Sequence, residues 1–345
     1  MKGLVKVAHG IRELELREAV LRRPQMGEVV IRVRYAGICG TDLHILADEF
    51  PSWPPVILGH EFTGVVEATG EGVDQGLLGT RVVSEPHALA CRICYLCRRG
   101  FVELCASKRS PGWGIDGAFA SHVVVPAWLL HKVPEELPDL AAVLAEPMAV
   151  AMTALRRAHL AAGDHVLVIG AGPIGLLAAL AARDSGAAYV VLAGRTLRGR
   201  LEMASRLGIA VTTTDNAAEL MRTRTDGRGA DLVVEATGSA DGVKAGIDAT
   251  RRHGRIVAIG LSGDDLIPVP WDLAVSHAID AMFSMSSNYE AWDPALAVLS
   301  RVAADAIELP TVFSLADWAT AFAAVAKRRV LKAVLDPSDM EAIEL

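Results

Sequence analysis

The sequence has few cysteines, no excess of basic charge and no uninterrupted hydrophobic run long enough to span a membrane. Its 34 Lys and Arg residues against 41 Asp and Glu give a formal net charge of −7, so it lacks the general basic field that attracts nucleic acid. The uncharged segment 166–182 contains Gly and Pro near its start and is predicted to form a strand, a turn and a helix. We therefore expect a small-molecule ligand, with no nucleic-acid or membrane partner.

The N-terminal segment MKGLVKVAHGIRELEL carries charges throughout. It lacks the apolar core of a secretory signal, which predicts a cytoplasmic protein. A chain of 345 residues that is 52% hydrophobic exceeds what one compact core usually holds, so two domains are expected.

Only five cysteines occur, and four of them fall within 15 residues at the spacing CxxCxxCx7C: Cys91, Cys94, Cys97 and Cys105. Because disulfides are disfavoured in a reducing cytoplasm, this spacing favours four thiolates around one tetrahedral ion, a structural zinc. An iron–sulfur cluster and coincidental packing are the alternatives.

The fifth cysteine, Cys39, lies in the polar stretch GICGTDLHI. A second metal site built on it needs imidazole and carboxylate ligands, and LGHEFTGVV offers His60 and Glu61 about twenty positions later. Mixed sulfur, nitrogen and oxygen ligands suit zinc. Glu146 in LAEPMAVAMTAL is a further candidate, because a carboxylate among apolar residues is costly to bury without a cation; the alternative is an ordinary helix-start glutamate.

The pattern of hydrophobic residues changes near residue 150. Residues 1 to about 145 contain short β-type runs such as EVVIRVRYAG, punctuated by Gly and Pro, which predicts an irregular, mostly β domain. Apolar strands and Ala-rich helices then alternate, which predicts a parallel α/β sheet. The last sixty residues return to mixed strands and helices.

The segment VLVIGAGPIGLLAAL places GxGxxG between a predicted strand and a predicted helix. These glycines permit a tight turn, close approach of backbone to a pyrophosphate, and close packing of helix on strand. The segment therefore predicts a dinucleotide site at Gly170, Gly172, Pro173, Ile174 and Gly175.

The acidic residue that binds the adenosine ribose about twenty positions beyond such glycines is missing, since residues 185–201 contain neither Asp nor Glu. Arg195, Thr196 and Arg200 follow the strand YVVLAG instead, and guanidinium and hydroxyl groups can bind a 2′-phosphate. This predicts a preference for NADP. The alternative is that the arginines are solvated and NAD is used.

Together GICGTDLHI, GHEFTGVV, the four-cysteine lobe, Glu146 and GAGPIG resemble the zinc-dependent medium-chain alcohol and polyol dehydrogenases, over essentially the whole chain. The resemblance implies an α/β protein with a GroES-like, mostly β catalytic domain (residues 1–148, zinc lobe 91–105). It implies a Rossmann doubly wound parallel-sheet coenzyme domain (149–283), a return to the catalytic domain (284–345), and a cleft between the domains. By analogy the protein is a homo-oligomer, a dimer or tetramer.

The resemblance also implies roles for individual residues and two zinc ions per chain. The catalytic zinc is expected at Cys39, His60 and Glu146, with Glu61 as an additional or exchanging ligand, and the structural zinc at the four-cysteine lobe. Thr41 lies where the family takes the substrate proton and His44 where an imidazole passes it towards solvent, while Asp42 would accept the free N–H of His60. The chain departs from the family at Arg92, where glycine is frequent.

We expect an enzyme that transfers a hydride between a secondary alcohol of a polyol or sugar and NAD(P). With no thiol left for a second sulfur ligand, the catalytic shell should be rich in carboxylates, as in the sorbitol and threonine dehydrogenase branches. Phe50 and Trp53 could line the pocket. An amino-alcohol dehydrogenase resembling L-threonine 3-dehydrogenase is the alternative substrate class, and a non-catalytic zinc-stabilised nucleotide-binding protein is the alternative to an enzyme.

Overall fold

A computed structural model describes residues 1–196 and 198–340. The strands are β1 (Lys2–Lys6), β2 (Leu14–Glu18), β3 (Glu28–Gly37), β4 (Val56–Ile57), β5 (Glu61–Thr69), β6 (Arg81–Ser84), β7 (His122–Pro126), β8 (Leu130–Lys132), β9 (His165–Ile169), β10 (Tyr189–Gly194), β11 (Ala210–Thr213), β12 (Ala230–Glu235), β13 (Thr250–Ala258), β14 (Asp280–Phe283), β15 (Pro310–Ser314) and β16 (Lys332–Asp336). The α-helices are α1 (Gly40–Leu46), α2 (Asp139–Ala142), α3 (Ala145–Arg157), α4 (Pro173–Asp184), α5 (Arg200–Arg206), α6 (Ala217–Arg224), α7 (Ala240–Ala249), α8 (Trp271–Ser276), α9 (Trp292–Arg301), α10 (Ala303–Ala306) and α11 (Trp318–Ala326).

The chain divides into two compact units, residues 1–146 with 302–345, and residues 147–301. The predicted return to the first domain at residue 284 therefore occurs at residue 302 instead. Residues 284–301 stay in the second unit because α9 packs against α4 and the Arg301 guanidinium pairs with the Asp184 carboxylate at 2.6 Å. The sequence offered no glycine or proline break that marks this boundary.

The first unit is built on a mostly antiparallel sheet in the order β15-β16-β3-β5-β6-β8, with β7 also paired to β3 and a separate β2-β1-β4 sheet. β-Branched residues such as Val29 and Ile31 of β3 are buried in its core. In the pairing of β3 with β5, Gly37 lies opposite Glu61. This register brings the end of β3, just before Cys39, beside the start of β5, just after His60.

The second unit contains a parallel sheet in the order β11-β10-β9-β12-β13-β14. Its central strands are apolar and buried, as expected when helices cover both faces, and this order is that of a doubly wound nucleotide-binding sheet. The predicted fold class is confirmed. Segment 166–182 forms most of β9 and the larger part of α4, and among the described residues no helix is both long and apolar enough to cross a bilayer.

Candidate active site and metal centres

Cys39 immediately precedes α1, whose first turn is held by Asp42. The Cys39 backbone N–H donates to the Asp42 carboxylate at 2.8 Å, an arrangement that satisfies one of the free amides at a helix start. The Asp42 side chain is completely buried. Burial raises its pKa to about 6, against the opposing effect of His60. Asp42 thus fixes the backbone that carries Cys39 and also faces the imidazole of His60.

Three ligand atoms of the first unit converge beside α1. The Cys39 sulfur, a ring nitrogen of His60 and a carboxylate oxygen of Glu61 all lie within 4.8 Å of one another. His60 and Glu61 are 4% and 1% exposed, so the group is closed to bulk water on their side. The register of β3 and β5 produces this convergence, because it places Glu61 opposite Gly37.

The unpartnered buried atoms and the donor types of this group fit a zinc ion. His60 Nδ1 and Asp42 Oδ1 face each other at 3.8 Å, and within the described part of the chain neither has a hydrogen-bond partner. Burial, reinforced by the charge of Glu61, raises the pKa of the Cys39 thiol. A bound cation would ionise that thiol, and sulfur, nitrogen and oxygen together are a donor set typical of zinc.

Glu146 lies in the first turn of α3 and is 8% exposed. Burial and the neighbouring charge of Glu61 raise its pKa to about 7, opposed by His60 and Lys332. Its carboxylate is not part of the three-atom group within 4.8 Å that the described residues form. The structure thus brings Glu61 together with Cys39 and His60 within this distance, and leaves Glu146 outside the group as a buried acid affected by the same charges.

The two residues predicted to move the substrate proton both lie on α1. The Thr41 hydroxyl is 3.6 Å from the Cys39 sulfur, which puts it at the ligand group. His44 is exposed, and its Nδ1 lies 2.8 Å from a carboxylate oxygen of Glu49. One of these residues therefore lies at the site and the other at the surface of the same helix.

Two residues near the ligand group were not found from the sequence. The Trp113 indole packs edge-on against the His60 ring, with centroids 4.9 Å apart, and Phe50 packs against Trp113 at 5.6 Å. The other missed residue is Lys332, whose ammonium donates to the Glu61 carboxylate. A lysine within the apolar run VLKAVLD was a visible indication of Lys332, whereas nothing in the sequence marked Trp113. Trp53, predicted at the pocket with Phe50, is 43% exposed and lies under the Arg109 guanidinium.

The sulfur atoms of Cys91, Cys94, Cys97 and Cys105 form a second group within 4.8 Å. The Cys91 sulfur is 3.9 Å from that of Cys97 and 3.6 Å from that of Cys105. Four sulfurs at ~2.3 Å from one tetrahedral ion lie ~3.8 Å apart, which these separations match. In a cluster each cysteine binds a different iron or shares one only in pairs, so four closely spaced sulfurs favour a single zinc over the iron–sulfur alternative.

Backbone amides favour the thiolate form of Cys91, whereas burial raises the pKa of Cys97. The N–H groups of Cys94 and Cys97 point at the sulfurs of Cys91 and Cys94, at 3.4 and 3.5 Å. Hydrogen bonds from the amides of Ile93 and Cys94 lower the pKa of Cys91 to about 6. Arg92, the departure from the family, has a φ of 59°, in the left-handed region that glycine adopts most easily. Its guanidinium stacks over the Trp128 ring at 4.4 Å, a contact that glycine could not make.

The predicted dinucleotide segment forms the turn from β9 to α4 in the second unit. α4 begins at Pro173, and its N-cap Gly172 supplies no side-chain hydrogen bond, so first-turn amides remain available to an anion. A Cβ on Gly172 would meet nothing within 4 Å, whereas one on Gly175 would overlap the Gly170 carbonyl oxygen. The turn is thus open towards a ligand and closed towards the helix, which fits a pyrophosphate.

The residues predicted to select the coenzyme follow β10. Arg195 and Thr196 are exposed directly after the strand, and Arg200 is the half-buried first residue of α5. The backbone N–H of Gly199 donates to the Glu202 carboxylate at 3.0 Å. The nearest acidic group along the chain is thus engaged in capping α5.

Two segments of the chain match known protein families. Residues 25–135 match the alcohol dehydrogenase GroES-like domain, and residues 173–301 match the zinc-binding dehydrogenase family. A sorbitol dehydrogenase of Halalkalibacterium halodurans is 34% identical over 98% of this chain and 100% of its own length. An L-threonine 3-dehydrogenase of Streptomyces coelicolor is 37% identical over 90% of this chain and 92% of its own.

A solved structure shows the same architecture. An alcohol dehydrogenase from Thermus sp. ATN1 superposes with a TM-score of 0.88 at 30% identity, covering 97% of this chain and 99% of that one. The matched families and the matched structure are therefore consistent with a metal-ligand group in the first unit and a dinucleotide turn in the second.

Proposed function

We propose that this chain, which belongs to the zinc-type medium-chain alcohol dehydrogenase family and is an oxidoreductase, acts on a secondary alcohol of a polyol or sugar. In the proposed reaction a hydride is transferred between that alcohol and NAD(P). The observation that carries this proposal is the group of partly buried Cys39 with buried His60 and Glu61, which combines sulfur, nitrogen and oxygen donors in one unit. The open pyrophosphate turn of the other unit supports the coenzyme.

In this proposal the catalytic zinc is held by Cys39, His60 and Glu146, with Glu61 as an additional or exchanging ligand. When bound, the ion supplies Lewis-acid polarisation of an alcohol oxygen. Thr41 accepts the alcohol proton while it releases its own hydroxyl proton, since its hydroxyl lies beside the Cys39 sulfur, and His44 passes the released proton to water from the exposed face of α1. Asp42 fixes His60 by facing its Nδ1.

We propose a polar secondary alcohol as the substrate because carboxylates crowd the ligand group. Glu61, Glu146 and Asp42 are all buried, and they leave a shell with one thiolate. The relative named sorbitol dehydrogenase, aligned over its whole length, supports a polyol. The relative named L-threonine 3-dehydrogenase supports an amino alcohol as the second candidate.

A substrate panel tests this assignment by the reduction of coenzyme, followed by the absorbance of the reduced nicotinamide. We expect kcat/KM for the best polyol or sugar to exceed that for ethanol by at least about 100-fold, because unpaired buried polar groups penalise a substrate that cannot bond to them. L-Threonine serves as the comparison: a higher kcat/KM on threonine than on any polyol would select the second candidate. Equal efficiency on ethanol and on the best polar alcohol contradicts both.

We propose that NADP is the preferred coenzyme, with Arg195 the main 2′-phosphate contact and Thr196 and Arg200 assisting. Exposure of Arg195 and Thr196 at the end of β10 supports this, as does the use of Glu202 in capping α5. Arg195→Ala should lower kcat/KM with NADP by about 10- to 100-fold, as expected for a lost charge-assisted contact of about 1.5–3 kcal/mol, and change kcat/KM with NAD little.

Arg206→Ala is the matched control, because Arg206 is an exposed arginine at the other end of α5. It removes the same charge and should leave the ratio of the two efficiencies unchanged. A parent protein that prefers NAD, or an Arg195→Ala protein with the parental ratio, would show that the coenzyme assignment is wrong.

We also propose a cytoplasmic homo-oligomer, a dimer or tetramer. β14 ends the strand order of the parallel sheet, and its last residue Phe283 and the following Met285 are 75% and 50% exposed. An exposed apolar edge strand favours pairing with a second copy. None of the five cysteines forms a disulfide, which supports a reducing compartment.

A further inference from the structure

Lys332 and Glu61 form a buried ion pair inside the first unit. The Lys332 ammonium donates to Glu61 Oε2, and the two residues are 2% and 1% exposed. β3 lies between the strands that carry them, since it pairs with β16 on one side and with β5 on the other. The pair thus joins the carboxylate of the ligand group to a strand from the far end of the sequence.

Gly37 makes room for this pair at the end of β3. A Cβ placed on Gly37 would lie 2.5 Å from Glu61 Oε2 and 2.9 Å from Lys332 Cε. Both distances are shorter than real Cβ contacts, so any larger residue at position 37 would displace the carboxylate, the ammonium, or both. The absence of a side chain at position 37 therefore leaves the space that the pair occupies across β3.

The charges around the ligand group explain why a cation is needed there. A Cys39 thiolate and the carboxylates of Asp42, Glu61 and Glu146 carry four negative charges when ionised, while a zinc ion supplies two positive ones. The Lys332 ammonium, which donates to Glu61 Oε2, adds one positive charge and halves the remaining excess of negative charge.

Glu61 consequently has two competing partners. One of its carboxylate oxygens lies close enough to the Cys39 sulfur and the His60 ring to join them around a metal, while Oε2 is bonded to Lys332. A carboxylate bonded to an ammonium is a weaker metal ligand than a free one, because its charge is partly neutralised.

We propose that Lys332 is a positioning residue of the metal site, which keeps Glu61 an exchangeable ligand by bonding its carboxylate and so limits the number of ligands that the chain gives to the metal. This inference rests on the proposed catalytic zinc. Without Lys332, Glu61 is expected to become a permanent ligand and to occupy the position that the substrate needs.

Cobalt spectroscopy tests this directly, because four-coordinate Co²⁺ absorbs visible light more strongly than five-coordinate Co²⁺. The protein is loaded with Co²⁺ in place of zinc, and the spectrum of Cys39→Ser protein, which keeps only the four-cysteine site, is subtracted. Lys332→Met should weaken the absorption per catalytic-site cobalt and lower kcat by about 10- to 100-fold, the usual effect of losing a residue that orients a metal ligand. Lys332→Arg, which keeps the charge, should restore both.

Two further variants separate positioning from folding. Lys6→Met removes another buried lysine of the same unit, paired with Asp48 at 3.6 Å, and should leave the cobalt spectrum unchanged. Glu61→Gln combined with Lys332→Met should recover the stronger parental absorption, because a neutral amide at this position needs no counter-charge and binds metal poorly. Parental absorption in folded Lys332→Met, or weak absorption in the double variant, would overturn the inference. Parent protein that takes up cobalt only at the four-cysteine site would instead contradict the proposed function itself.

Discussion

Cys39→Ser should leave the protein folded and reduce kcat by at least about 1,000-fold. A hydroxyl is a much poorer zinc ligand than a thiolate, and the Lewis-acid contribution that the ion supplies is worth several kcal/mol, at about 1.36 kcal/mol for each factor of ten. The thiol is not needed for the fold, because the backbone of α1 is held by the Asp42 carboxylate. Steady-state kinetics and thermal unfolding of the same preparation measure the two effects.

The matched control is Cys94→Ser, which makes the same atomic change at the other sulfur group. It should strongly lower the free energy of unfolding. The kcat of the protein that remains folded should fall little. A Cys39→Ser protein with parental kcat would show that Cys39 does not hold the catalytic metal.

Cys105→Ser should destabilise the first unit by about 4 kcal/mol, in the range reached when a structural metal is lost. Between β6 and β7 the described chain has only short 3-10 turns and no α-helix or strand, and the backbone hydrogen bonds within the lobe, such as that from the Arg98 N–H to the Cys94 carbonyl at 3.0 Å, join residues close in sequence. Cys105 is 6% exposed and its sulfur is 3.6 Å from that of Cys91. At about 2–4 °C per kcal/mol, Tm should fall by about 8–16 °C.

Ser107→Ala is the control for this change, since Ser107 is an exposed residue two positions after Cys105 and should leave Tm within about 2 °C of the parent, as surface substitutions usually do. Removing zinc from the parent with a chelator should produce the shift seen in Cys105→Ser. An unchanged Tm in both cases would mean that the four sulfurs do not hold a stabilising ion.

Local patterns in the sequence predicted much of this molecule. The spacing of Cys91, Cys94, Cys97 and Cys105 predicted a four-sulfur group because ligands a few residues apart can surround one ion without help from the rest of the fold. The glycines around Pro173 predicted the turn into α4 for the same reason, since a strand, a turn and a helix start are all local. The predicted fold class, a mostly β domain combined with a parallel α/β domain, is confirmed.

Three interactions between distant residues were not predicted from the sequence. Lys332 and Glu61 are 271 positions apart, and their pairing depends on β3 lying between β16 and β5. The edge contact of Trp113 with His60 depends on a loop with no periodic pattern. The domain boundary near residue 302 depends on the packing of α9 against α4, which an amphipathic helix alone does not specify.

The zinc content of freshly purified, unchelated protein tests the central claim, that two disjoint ligand groups of the first unit hold two ions with different roles. Elemental analysis against protein concentration should give two zinc ions per chain for the parent and one for Cys39→Ser. One zinc or none in the parent, or two in the Cys39→Ser protein, would contradict the account.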